Sequence, residues 1–406
     1  GFFTMQAILK GLRIIEGSAF IAAPMCGMTL AQLGADVIRF DQIGGGMDYH
    51  RWPVTKDNNS IYWAEMNKGK RSIAVDLKSE EGRELIAELI CSAGDDAGVF
   101  STNLPARGWL AYDVLSKRRT DLIQHEIVGD RHGGTALDYT VNAKVGFPYI
   151  TGPIDDERPV NHVLPAWDIT TAYLAAIDIL AAERHRRLTG EGQQVKLALA
   201  DVALSTMGHL GYIGEVHVNQ ETRQRHGNYL FGALGRDFIT ADKQRVMVIA
   251  INAKQWRGLL EATGVMEEVA QIENLMQLDF SIEGDRFEAR KELCSILEPW
   301  FARQPFETVA RVFKNCGICW DKYQTVSELV TSDPDCSTEN PIFEEIEQPG
   351  IGRYPVSSGA MHFSKIKRDS PRPAPILGNH TDEILADILK LDSNTIGQLH
   401  DKRIVA

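Results

Sequence analysis

The chain has 406 residues, 44% of them hydrophobic and 24% charged, with a formal net charge of −12. That length suggests two or three domains with an ample core, and the acidic balance argues against nucleic acid or an anionic membrane as the main partner. No apolar run reaches the length of a membrane-spanning helix, no signal peptide is visible, and six cysteines fit a reducing cytosol better than a disulfide framework.

Gly1–Thr4 ahead of Met5 reads as an expression remnant. Leu12–Glu16 reads as a strand, Ala22–Leu33 as a helix stopped by Gly34, and Val37–Phe40 as a second strand ending in Asp41. A strand–helix–strand unit implies a parallel sheet and a right-handed crossover. Asp41 stands where a dinucleotide fold keeps its ribose-binding acid, but the first turn reads Gly17-Ser-Ala-Phe-Ile-Ala, with one glycine in place of G-x-G-x-x-G. A nicotinamide-dependent oxidoreductase is disfavoured on that ground. Gly44-Gly45-Gly46 opens a loop to Lys56, and Asn67-Lys-Gly-Lys-Arg-Ser72 leads into a strand at Ile73–Leu77 and a helix at Ser79–Ile90. That basic junction reads equally as a phosphate holder and as a solvated turn. Val99–Thr102 and Leu122–Val128 are further strands, with Asn103 and Arg107 past the carboxyl end of the first, where open α/β sheets bind ligands.

Pro165–Gly192 is the longest periodic stretch. Ile169, Ala172, Tyr173, Ala176, Ile177 and Leu180 fall on one helical face, and Leu174, Ala175, Ile179 and Ala182 fill much of the other, so the helix is expected to be buried nearly all round. Arg184–Arg187 and Gly190 mark its end. Asp168 at its start has two readings, an N-cap or a nucleophilic carboxylate held at a buried helix end. Spacing alone favours the cap.

Gln194–Leu199 follows as a strand and Val202–Val218 as one helix. Arg225–Arg236 is a glycine- and aromatic-rich loop, and Asp237–Thr240 with Arg245–Ile251 reads as a hairpin. Helices are expected at Ala253–Thr263, Asp285–Arg303 and Pro305–Asn315. Cys316-Gly-Ile-Cys319 is a lone CxxC that closes a helix and opens a strand, and no metal is assigned to it. Pro349–Lys367 is strand-like, Pro371–Pro375 is an extended linker, and His380–Leu389, with Thr381 as candidate N-cap, precedes a last helix at Asn394–Lys402.

Taken in order, Leu9-Lys-Gly-Leu-Arg-Ile, Leu33-Gly-Ala-Asp-Val-Ile-Arg-Phe, Asn67-Lys-Gly-Lys-Arg-Ser-Ile, Thr189-Gly-Glu-Gly-Gln and Ala374-Pro-Ile-Leu-Gly-Asn-His-Thr-Asp resemble family III CoA-transferases almost end to end. Within the family, Glu16-Gly-Ser-Ala-Phe, Phe40-Asp-Gln-Ile-Gly-Gly-Gly and Asn161-His-Val-Leu-Pro-Ala-Trp-Asp are most similar to the branch that moves CoA from C1 to C4 of mesaconyl-CoA. The resemblance implies an α/β fold: a Rossmann-like parallel-sheet large domain (5–215), a smaller α+β domain (216–320), and a linker returning to the first (321–406), in an interlocked homodimer. It places the family's nucleophile on Asp168, an acid near the reacting carbonyl on Asp138, and CoA contacts on Asn67, Lys70, Arg71, Asn103 and Arg107. The basic residue after the family's second strand is Gln42 here, and Gly227–Gly235 stands in for a tetraglycine lid. The partners implied are an acyl-CoA and a small dicarboxylate, with no nucleic acid and no membrane. No cofactor or metal is implied, since CoA enters with the substrate, and the cytoplasm is the implied compartment. Among His50, Arg51, Arg131, His162 and Arg236, Arg51 and Arg236 are favoured to hold the second carboxylate, because arginine binds a carboxylate bidentately. An intermolecular transferase is the alternative. The racemase branch needs a histidine at position 138, and the nearest, His132, lies in a Gly-Gly loop. A non-catalytic acyl-CoA-binding protein would tolerate loss of Asp168.

Overall fold

The computed structural model describes residues 7–406, so Gly1–Thr4 and the opening of the expected first domain at Met5 lie outside the described residues. The chain divides into two compact units, one of Gly1–Val145, His162–Ile213 and Asp333–Ala406, the other of Gly146–Asn161 and Gly214–Ser332. The second unit therefore takes in a short early segment, 146–161, that the sequence leaves with the first, and it runs on to Ser332.

The first unit is built on six parallel strands in the order β3-β2-β1-β4-β5-β6. These are β1 (Arg13–Gly17), β2 (Asp36–Gln42), β3 (Arg71–Val75), β4 (Val99–Thr102), β5 (Ile123–Val128) and β6 (Gln193–Ala198). The helices are α1 (Ala22–Gln32), α2 (Ile61–Met66), α3 (Glu80–Ile90), α4 (Tyr112–Arg118), α5 (Asp138–Lys144), α7 (Ala166–Thr189) and α8 (Leu199–His209), while α6 (Phe147–Ile150) belongs to the second unit and α9 (Tyr212–Asn219) spans the division. Alternate strand residues face opposite layers. Ile14, Val37 and Val99 pack with α1 and α7, while Ile15, Ile38 and Phe100 pack with α3 and the C-terminal residues Ile384, Leu385, Ile396 and Leu399. The strand order reverses between β1 and β4, which places the ligand crevice beyond Gly17 and Thr102. Among the described residues no helix is long and apolar enough to cross a membrane.

Three expected elements differ, one of them the helix expected over Asp285–Arg303, which divides at Ala289 into Glu283–Glu288 and Arg290–Arg303. α7 is buried on the face that carries Ala172, Ala175, Ala176 and Ile179, but Tyr173 and Ile177 are 50% and 60% exposed, so an apolar stripe faces outward. The helix expected over Val202–Val218 breaks into α8 and α9 at Gly211, whose φ of +86° is open to glycine and strained for other residues.

The second unit holds an antiparallel sheet of β7 (Leu234–Ile239), β8 (Arg245–Ala250) and β9 (Cys319–Lys322). Its helices are α10 (Ala253–Thr263), α11 (Met266–Met276), α12 (Glu283–Glu288), α13 (Arg290–Arg303), α14 (Phe306–Phe313) and α15 (Val326–Ser332). Cys319 opens β9, and both cysteines of the CxxC are free thiols. The chain returns to the first unit through a hairpin, β10 (Phe343–Gln348) and β11 (Gly352–Ser357), then α16 (Thr381–Asp387) and α17 (Ser393–Asp401). Thr381 does not cap α16: its hydroxyl donates to the Ala406 carbonyl at 2.7 Å.

Candidate active site

The start of α7 settles whether Asp168 is occupied as a cap. The residue at the N-cap position is Pro165, which offers no side-chain acceptor. Asp138, the first residue of α5, supplies it from outside. Its Oδ2 accepts the backbone N–H of Trp167 at 2.7 Å and of Asp168 at 3.0 Å. Its Oδ1 accepts His162 Nε2–H at 2.5 Å, and Trp167 Nε1–H donates to Asn142 of α5 at 3.1 Å. The free N–H groups of the first turn are thus satisfied by another carboxylate. Asp168 keeps a carboxyl with no hydrogen-bond partner among the described residues. Burial, and then the charge of Asp138, push it from 3.8 up to about 7. A half-buried carboxyl relieved of capping and tuned to neutral pH suits a nucleophile better than a structural acid.

Arg51 shares its surroundings with Asp168. Its guanidinium lies 5.6 Å from the Phe20 ring and 6.0 Å from the Tyr62 ring, and its carbonyl is held by Ser60 Oγ, which also caps α2. Burial pushes the Tyr62 hydroxyl up to about 12; Arg51 opposes that shift, while Asp168 and Asp48 add to it. Arg51 has no carboxylate partner among the described residues. Phe20 has φ +68°, a strained value for a side chain of that size. It is pinned there by Asp48 Oδ2 accepting its N–H at 2.9 Å, and by Asn103, which bonds both the N–H and the C=O of Ala19. This strained turn lies at the β1–β4 crevice.

The residues expected to contact CoA do not form one cluster. Asn103 and Arg107 lie past the carboxyl end of β4. Arg107 is exposed with no ion pair among the described residues, and Asn103 uses its amide to brace Ala19. Asn67 and Lys70 correct the expectation, for both are buried. Lys70 Nζ donates to Glu16 at 2.7 Å, to the Pro24 carbonyl at 2.8 Å and to Asn67 at 2.8 Å. Arg39 joins the same web through Asp41, Asp48 and Asn67. A fully buried ammonium persists only when paired and hydrogen-bonded; burial lowers its pKa and Glu16 opposes that shift. Arg71 begins β3, at the amino end of the sheet, and pairs with Asp36 and Glu383. Asp41, engaged with Arg39, is no ribose ligand, and Gln42 braces Asp76 and Leu77 instead of facing solvent. In the second unit Arg236 is engaged with Glu298, Tyr229 and the Asp237 carbonyl, which leaves its fork occupied. Asp138 is likewise saturated by three donors. The sequence reading missed the Asp138–His162 pair, although both residues stand in motifs it singled out, because the two meet only when α5 packs on the head of α7.

A family model described as CoA-transferase family III matches residues 9–381. The chain is 54% identical over 403 residues to the 2-methylfumaryl-CoA isomerase of Chloroflexus aurantiacus, covering 99% of this chain and 98% of that one. It is 28% identical over 394 residues to the succinyl-CoA:mesaconate CoA-transferase of Haloarcula hispanica, covering 93% and 95%. Among solved structures, a CAIB/BAIF family protein from Brucella suis matches with a TM-score of 0.76 at 25% identity, over 93% of this chain and 98% of that one. An unencumbered aspartate on a parallel-sheet unit, together with a model match over most of the length, establishes that this chain belongs to CoA-transferase family III.

Proposed function

We propose that the chain moves CoA between the two carboxyls of mesaconyl-CoA, with Asp168 as nucleophile. The observation that carries this reading is the Asp168 carboxyl, released from capping by Asp138 and raised to about 7. The substrate follows from the 54% identity to an enzyme named for 2-methylfumaryl-CoA isomerisation.

The ionised Asp168 attacks the thioester carbon, and CoA leaves as thiolate from a mixed anhydride. The thiolate attacks the Asp168 carbonyl, forming an aspartyl-CoA thioester and releasing the acid as a carboxylate. The other carboxylate of the same acid attacks that thioester, and the thiolate then returns to the new acyl carbon, freeing Asp168. The substrate, aspartyl and product thioesters are near-isoenergetic, so the exchange needs no external energy, only exclusion of water from the short-lived anhydrides between them. Arg51, with no carboxylate partner of its own, is the group that holds the acid's second carboxylate while it turns. Arg107 and Asn103 at the crevice are the CoA-side contacts, and the enzyme acts as a homodimer.

Incubation of mesaconyl-C1-CoA with excess labelled free mesaconate, succinate or formate tests this. Mesaconyl-C4-CoA without label is the expected product. Label entering the thioester pool means an intermolecular transferase, and no reaction with either mesaconyl thioester removes the substrate.

A further inference from the structure

The nucleophile must be ionised, yet the charge that acts on it most is another carboxylate. Asp138 is only 2% exposed, and among the described residues no lysine or arginine pairs with it. Its two Oδ2 bonds come from neutral backbone N–H groups, so the ionisable partner that holds it is His162, through Oδ1. The imidazole is fixed a second time, edge-on against Tyr139 with ring centroids 5.6 Å apart. Tyr139 follows Asp138 on α5, and the loop carrying His162 runs directly into α7. Histidine, carboxylate and nucleophile are therefore joined without a long flexible connection.

We propose that His162 is a positioning residue for the nucleophile: it pins Asp138 on the head of α7 and offsets its charge, and so sets the pH at which Asp168 becomes a carboxylate. This rests on the reading of Asp168 as nucleophile and deepens it. An N–H donated to a carboxylate draws off part of its charge. Without His162, Asp138 faces Asp168 unshielded, and Asp168 holds its proton to higher pH. The other groups on this side are Tyr139 of α5, Tyr62 of α2, and Arg51 and Asp48 of the preceding loop. None of them is substituted in the variants compared.

The test is the pH profile of mesaconyl-CoA isomerisation by the full chain, in wild type, His162→Gln and His162→Ala. The acid limb of kcat/KM should move upward in both variants. A shift of about one unit means on the order of tenfold slower turnover at neutral pH, recovered as the pH is raised, with KM for the acyl-CoA nearly unchanged. Gln should shift less than Ala, because its amide still donates to Asp138. A loss equal at every pH, or an unmoved limb in a folded variant, overturns the proposal; should the Ala variant fail to fold, the Gln variant decides. Asp168→Ala is the control. Turnover there removes the nucleophile itself, whereas its inactivity beside an unmoved limb in the His162 variants removes only the role given to His162.

Discussion

Asp168 carries a stability penalty that follows from its burial. Its folded-state value of about 7 lies above its ordinary 3.8. The folded chain therefore keeps a proton that the unfolded chain has released. The stability this gives is complete below the lower value and is lost as pH rises through the upper one. Asp168→Asn escapes that loss. Urea melts should show it more stable than wild type by on the order of 2 kcal/mol at pH 8, allowing for partial exposure, with the gap narrowing toward pH 5. Its turnover should be absent until the amide hydrolyses. Lys70 and Arg107 separate in the opposite way. Lys70→Ala leaves Glu16 buried and unpaired, which should cost about 3–5 kcal/mol of stability and leave KM of the folded fraction unchanged. Arg107→Ala should leave the melt unchanged and raise KM for the acyl-CoA with little effect on kcat. A phosphate-holding basic motif and a buried lysine web look alike in a sequence, since burial is decided by strands that arrive from elsewhere. That is why the sequence puts Asn67 and Lys70 among the ligand contacts although the fold buries them.

At the level of elements, α1 lies close enough to β1 that one position has no room to spare. A Cβ on Gly27 would stand 1.7 Å from Glu16 Oε1. Gly27→Ala must therefore displace the carboxylate that neutralises Lys70, and it should destabilise by about 3 kcal/mol in urea unfolding while gaining helix propensity. The strands of the parallel sheet were legible because buried strands read as short apolar runs, and Val99–Thr102 falls at the expected bounds. α11 and β10 were not, because Met266–Met276 and Phe343–Gln348 carry few buried residues and so little apolar period. The cap of α7 was illegible for a different reason. Capping rules are local, and this acceptor comes from a residue in a separate helix.

The whole molecule leaves Tyr173 and Ile177 of α7, Leu204 of α8 and Leu210 just past it exposed. In the proposed dimer these are side chains that a partner subunit would cover. Light scattering should give about twice the chain mass of 45.1 kDa, and a stable species at the chain mass would remove the proposed dimer. A second consequence concerns the order in which the protein forms. The outer edge of β3 is closed by the end of the chain: Val75 bridges Val405, Ala406 N–H donates to the Ala74 carbonyl, and Gly378 N–H donates to Ser72 Oγ at 2.9 Å. Partners more than 300 positions apart thus complete one sheet. During synthesis the early strands emerge long before their cover, with a bare strand edge and an unfilled apolar layer waiting for residues 378–406. Such distant closure slows folding and leaves the nascent chain open to aggregation. A ribosome stalled short of that segment should release a chain that chaperones bind and that precipitates without them, even though every residue discussed for catalysis has already been made.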